Sequence, residues 1–243
     1  MTRIYRGQAQ IESLDPYFID ALGLCRAAAG WLQPRNRNVL LDPNDADAGT
    51  VRGALTTYFG VQFGAGPMPA LGPGDTVFVD TAQTVYAAIA TALNTWTVYI
   101  EYADWQDHDP DEYASARPPV VFPDAEGNVD AGNPNSFQAT WADVRNNMNR
   151  GTQSYVFMHN GLPVTVSPAR DLAFNIQLNT RFRNADDMLK QETIIHEMSH
   201  ALADTNDAAY ADTLAQARLI CAAHGAPTAR DTADCWGFFP FDL

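Results

Sequence analysis

The spacing of apolar and polar positions predicts five helices. The first runs from about Tyr17 to Leu32, where Ile19, Leu22, Ala28, Ala29 and Leu32 recur at helical intervals, and Pro34 lies just beyond its end. A second spans Val51 to Phe59 and stops at Gly60, a residue suited to a left-handed C-terminal cap. Four glycines and three prolines between Gly64 and Gly74 mark a loop, and a third helix follows from about Thr81 to Leu93. A fourth begins at Asn184 or Asp186 as its cap and runs to about Ala203, and a fifth spans roughly Asp207 to Ala223. Strands are expected where the period falls to two: Trp96 to Tyr102, Ser154 to His159, and Leu172 to Asn179, in which Leu172, Phe174, Ile176 and Leu178 alternate with other residues.

From Asp104 to Gly151 the chain turns rich in Asp, Asn, Pro and Gly, interrupted by an apolar Val-Val-Phe at 120–122. Long loops around one short strand or hairpin are expected there. Asp124, Glu126, Asn128 and Asp130 alternate as calcium ligands can, but no glycine stands where a helix-loop-helix calcium loop needs one, so a solvated turn is expected. Helices and strands are partly segregated, which is the α+β pattern. One domain over 1–243 is expected, with a helical N-terminal part (about 1–95) and a loop-rich insertion (about 104–151).

Charge narrows the range of partners. The chain has 29 acidic and 15 basic side chains and a formal net charge of -14. Such a surface repels phosphate backbones and anionic lipid, which argues against nucleic acid or a membrane surface as the main partner. No stretch approaches about 18 consecutive apolar residues, so no membrane span is expected. The first residues carry Arg3 and Arg6 without an apolar run after them, unlike a secretory signal; a cytoplasmic location or export by a signal-independent route is expected. Cys25, Cys221 and Cys235 have no metal-ligand spacing and are expected as buried, reduced thiols, with room for one disulfide at most.

The chemistry concentrates in His196-Glu197-Met198-Ser199-His200. On a helix, positions four apart sit above one another on one face, so the two imidazoles can share one zinc ion. Glu197 lies about 100° round the helix, beside such an ion, where it can take a proton from water. A catalytic zinc needs a third protein ligand and an open fourth position. No glutamate follows Glu197, and Asn206 stands six residues beyond His200 where another histidine ligand would be needed. His224 and the aspartates Asp204, Asp207, Asp212, Asp231 and Asp234 remain. Asp204 suits the cap of the fifth helix. Asp207 falls in that helix's first turn after a short reversal that could bring it back over the metal, and Tyr210 projects from the same face.

The run HEMSHALADTNDAAY resembles the aspzincin metallopeptidases, the deuterolysin and peptidyl-lysine metalloendopeptidase group. Their signature is H-E-x-x-H followed by G-T-x-D-x-x-Y-G. The second half here is Asp204-Thr205-Asn206-Asp207-Ala208-Ala209-Tyr210-Ala211, with Thr, Asp and Tyr matched and both glycines replaced. Weaker likenesses lie in Leu55-Thr56-Thr57-Tyr58-Phe59-Gly60 and in the segment from Thr232 to Phe239. The resemblance implies a zincin-like fold, mainly helical, with a small mixed sheet and the zinc-binding helix packed beside it. It also implies Zn2+ held by His196, His200 and Asp207, Glu197 as the base, and Tyr210 assisting the transition state. In the lysine-specific branch, acidic side chains of the C-terminal segment receive the substrate lysine. Asp234 matches one of them, while Gly237 stands where a second carboxylate would be expected. Asp234 is thus an expected substrate-binding residue favouring a basic side chain next to the cut.

The expected activity is zinc-dependent endopeptidase hydrolysis of a protein or peptide by a monomer. Two alternatives remain. One is an effector or toxin exported without a signal, using the same protease fold and matched by a cognate inhibitor or immunity protein. The other is a binding module that carries a non-catalytic zinc.

Overall fold

A computed structural model describes residues 2–6, 14–102, 112–121, 136–149 and 154–243. The elements in chain order are β1 (Thr2–Arg6), α1 (Asp15–Leu32), α2 (Arg37–Leu40), α3 (Ala46–Phe59), α4 (Pro73–Thr95), β2 (Thr97–Tyr102), β3 (Ala114–Val121), β4 (Phe137–Gln138), α5 (Trp141–Asn149), β5 (Tyr155–His159), β6 (Leu162–Val166), α6 (Pro168–Asp171), β7 (Leu172–Leu178), α7 (Thr180–Asn184), α8 (Asp187–Ala203), α9 (Leu214–Arg230) and α10 (Ala233–Phe238). Short 3-10 turns occupy Pro34–Asn36 and Phe239–Asp242. The class is α+β, as the segregated pattern predicts. The chain forms two compact units, one from Met1–Pro16 and Thr91–Ala185, the other from Tyr17–Ala90 and Asp186–Leu243.

The first unit holds the strands. A mixed five-stranded sheet has the order β1-β2-β7-β3-β4. β1, β2 and β7 run parallel, and β3 is antiparallel to both β7 and β4. β7 is central, and its alternating Leu172, Phe174, Ile176 and Leu178 are buried together with Ala173. β5 and β6 form a separate hairpin through Asn160-Gly161, both at positive φ as such a tight turn requires. The segment expected as loops contains β3, β4 and α5. The aspartates and asparagine considered for calcium, Asp124 to Asp130, lie outside the described residues.

The second unit is helical, and its core joins the end of α3 to the C-terminal segment. Phe59 at the end of α3 packs against Phe78 of α4, Trp236 of α10 and Phe239, with ring centroids 5.0 to 5.1 Å apart. Tyr86 stacks on Phe239, and its hydroxyl donates to the Trp236 carbonyl at 2.8 Å. Tyr58 donates to Asp242 at 2.8 Å. Aromatic pairs at such separations add to the burial of their area, so this cluster fixes α10 firmly. Gly60 ends α3 in the left-handed conformation (φ 62°), and a Cβ there would lie 2.8 Å from the backbone of Ala226, so glycine is needed twice over.

Three expectations change. α3 and α4 start earlier than their apolar pattern, α3 at an Asp45 cap that accepts from Ala48 N–H and α4 at Pro73. By length and composition α4 is apolar enough to cross a membrane, though no long uninterrupted apolar run marks it. Val79, Ala82, Tyr86, Ile89 and Leu93 are nevertheless buried in the protein, as in a core helix. The thiols are not all reduced: Cys221 on α9 and Cys235 on α10 form a disulfide with Cα atoms 5.8 Å apart, and Cys25 stays buried and free. The pairing arises because two helices pack side by side, which residue spacing does not reveal.

Candidate metal centre

α8 places the His-Glu-x-x-His motif. Asp186 caps it by accepting from Leu189 N–H at 2.8 Å, and every residue from Glu192 to Ser199 is buried. A helix enclosed on all sides over two turns holds its side chains in fixed rotamers. The helix ends at Asp204, which takes the left-handed conformation (φ 63°, ψ 37°). This is the position of the first glycine in the aspzincin signature. Aspartate tolerates that conformation better than most residues, so the reversal forms without a glycine. Asp204 therefore closes α8 and does not open the next helix, which starts at Leu214 behind a Thr213 cap.

The reversal returns the chain over the histidines. Asp207 Oδ1 lies 2.9 Å from His196 Nε2 and 3.0 Å from His200 Nε2, and the two Nε2 atoms are 3.1 Å apart. Ligand atoms at about 2.0–2.1 Å around a tetrahedral zinc sit about 3.3 Å from one another, so this triangle is close to the required size. The outer ring nitrogens are committed elsewhere. His196 Nδ1 lies 2.7 Å from Asp234 Oδ1, and His200 Nδ1 lies 2.8 Å from the Thr205 carbonyl. Carboxylate and carbonyl oxygens accept, so each Nδ1 donates, while each Nε2 is directed at Asp207: it donates to that carboxylate when protonated and would offer its lone pair to an ion when not. Two nitrogens and one carboxylate oxygen, each ring anchored from behind, suit a divalent ion such as zinc. A carboxylate oxygen of buried Glu197 lies within 4.8 Å of a ring nitrogen of each histidine. Tyr210 is 41% exposed, with its ring nearly parallel to that of His196 at 6.3 Å, beside the cluster.

The electrostatics follow from this crowding. Burial alone would push His196 and His200 down, but hydrogen bonds and charge from Asp207, joined at His196 by Asp234, outweigh it and hold both rings above the usual histidine value. Burial likewise opposes ionisation of Asp207, yet the two imidazoles hold its carboxyl well below the ordinary carboxylate range.

The structure brings His196, Glu197, His200, Asp207 and Tyr210 together. Asp234 is there too, but in a different place from the one the resemblance implies. A pocket for a substrate side chain needs an open carboxylate; Asp234 is 3% exposed, and both its oxygens are taken, by His196 and by Ala211 N–H at 2.6 Å. His224, on α9, joins neither of the metal-capable groups found among the described residues.

Two residues escape sequence reasoning. Thr205 supplies the carbonyl that orients His200, and its hydroxyl pairs with Ser199 at 2.8 Å; its match to the signature was the available signal. Glu192, one turn before His196, has a buried Oε1 that lies 3.7 Å from His196 Nδ1 and has no hydrogen-bond partner. Burial, then the neighbouring Asp234, push its carboxyl well above the ordinary range. No family model matches this chain and no curated protein matches it, so what the centre can do rests on its own geometry.

Proposed function

We propose that this chain is a zinc-dependent endopeptidase of the aspzincin type, with a zincin-like fold, in which His196, His200 and Asp207 hold the ion. One observation carries the reading: three ligand atoms converge in a near-equilateral triangle, and a buried carboxylate that need not be a ligand, Glu197, stands beside it. Held by His196, His200 and Asp207, such an ion would supply Lewis-acid polarisation for attack on the scissile carbonyl. Glu197 would serve as the general base, taking a proton from the attacking water and passing it to the leaving amine. The Tyr210 hydroxyl, at the open edge, donates to the developing oxyanion. Asp207 and the two rings keep their positions because Asp234 and Thr205 hold the rings from behind.

The reading includes no lysine pocket at Asp234, because that carboxylate is spent inside the protein. A non-catalytic zinc module would close its shell with four protein ligands and gain nothing from an unligated Glu197. The Cys221–Cys235 disulfide is of a kind that persists in oxidising compartments and favours a site of action outside the cytosol.

The test is Glu197→Gln, assayed on an unfolded casein-like substrate alongside metal analysis. Wild type should carry one zinc and cleave. The variant should keep the zinc and lose about 10²–10⁴-fold in rate, the range for a missing general base. A variant that cleaves at the wild-type rate would overturn the reading, and so would a wild-type chain that takes up no metal.

A further inference from the structure

Asp234 sits at the first turn of α10, on an element held by two independent constraints: the adjacent Cys235 is disulfide-bonded to α9, and Trp236 is locked in the aromatic core. Its two oxygens point to different parts of the centre. Oδ1 accepts from His196 Nδ1 and Oδ2 from the backbone N–H of Ala211, which directly follows Tyr210 and closes the segment that begins near Asp207. The other end of that segment is tied to the same region. Asn206 N–H donates to the Asp231 carbonyl at 2.7 Å, and Ala233 N–H donates to the Asn206 carbonyl at 3.0 Å.

Resting on the metal-centre reading above, we propose that Asp234 is a positioning residue that joins the two halves of the site: one carboxylate fixes the hydrogen placement of His196 and, at the same time, the path of the 207–211 segment.

The physical reason is the number of acceptors. Both donors, an imidazole N–H and a backbone N–H, need an acceptor, and an ionised carboxylate offers one at each end. An asparagine of the same shape offers one. If its oxygen stays on Ala211, its NH2 faces His196 Nδ1, which then has to accept, and the hydrogen moves to Nε2, where it blocks the metal. If its oxygen stays on His196, NH2 opposes N–H at Ala211 and the segment carrying Asp207 and Tyr210 must shift. Either outcome costs metal affinity while leaving the packed volume unchanged. Glu192 cannot take over, because its oxygen lies 3.7 Å from His196 Nδ1, beyond hydrogen-bond range.

The experiment is a Zn2+ competition titration against a chromophoric chelator for wild type, Asp234→Asn and Asp231→Asn. Asp231 is a control because its carboxylate accepts from Asn206 Nδ2 in the same neighbourhood without touching His196. Asp234→Asn should bind zinc about 10–100-fold more weakly, the range for removing an outer partner of a metal-ligating histidine. Asp231→Asn should stay within about twofold, well inside that contrast. The 15N spectrum of the histidines in zinc-free wild type, at alkaline pH where the rings are neutral, gives a second readout that needs no variant: His196 should carry its hydrogen on Nδ1, facing Asp234. Wild type that binds no zinc would sink the metal-centre reading itself. Wild type that binds zinc, with Asp234→Asn binding equally well or with His196 of the zinc-free protein protonated on Nε2, would overturn the role of Asp234 alone. Should Asp234→Asn fail to fold, the wild-type spectrum still decides.

Discussion

Gly237→Ala tests whether the buried side of the centre is as tightly built as it looks. A Cβ on residue 237 would lie 2.1 Å from Glu192 Oε1, 2.9 Å from its Cδ and 3.2 Å from its Cγ. Real Cβ atoms essentially never come closer than 3.0 Å to another heavy atom, so the Glu192 carboxyl would have to withdraw by about 0.9 Å. Glu192 is 4% exposed and already sits 3.7 Å from His196 Nδ1, which leaves no solvent to retreat into. Overpacking of this kind costs about 1–3 kcal/mol. For a chain of this size that is a fall in Tm of about 2–12 °C. Glu192→Ala removes the obstructing atoms together with a carboxyl oxygen that has no hydrogen-bond partner. In that background the alanine at 237 should cost less than half as much, a coupling of about 1 kcal/mol or more between neighbours. Differential scanning calorimetry of the four proteins closes the cycle. Equal losses in both backgrounds, or no loss in either, would show that Gly237 is not shaped around Glu192.

Other outcomes follow from the charges and the cross-link. His196 is held above its ordinary value, so in chelator-treated protein its contribution to stability is full below about pH 6.5 and is lost as pH rises through the raised value. Asp207 is held low, so its contribution is present above about pH 4 and lost only as pH falls through the lowered value. The Tm difference between chelated wild type and Asp207→Asn should therefore shrink on the alkaline side, and a difference that stays flat from about pH 5 to 9 would refute the pairing. Zinc affinity should move the opposite way and rise with pH, because the ion competes with protons for both rings; chelator competition at several pH values measures it. Replacing Cys221 and Cys235 together by serine should cost about 3 kcal/mol, the chain-entropy value for a loop near their separation of 14 residues. Denaturant unfolding measures it, and an unchanged midpoint would mean that the bridge contributes nothing to stability.

The local parts of this protein are determined by sequence alone. The central strand at 172–178, the ends of α1 and α8, and the left-handed stop at Gly60 all follow from near-neighbour physics: periodicity, caps and allowed backbone angles. The two histidines and Glu197 are legible for the same reason, since a single helix fixes their relation. The hairpin turn at Asn160-Gly161 is also local, and its dipeptide signals it, although the second strand, with Leu162, Val164 and Val166 around Pro163, has too weak an alternation to stand out.

What depends on distant parts of the chain meeting required the tertiary structure. Nothing in the order of residues says that Cys221 faces Cys235, that Tyr58 and Phe59 pack with Trp236 and Phe239, or that Glu192 fills the space left by Gly237. Asp207 reaches the histidines only because Asp204 adopts a left-handed turn and Asn206 is hydrogen-bonded to the 231–233 segment. Asp234 shows the division most clearly. Its sequence context suggests an open carboxylate for a substrate, yet burial of α10 against α8 turns it inward onto His196 and Ala211. A carboxylate's role is set by which donors the fold brings to it, and both of these come from elements far from it in the chain.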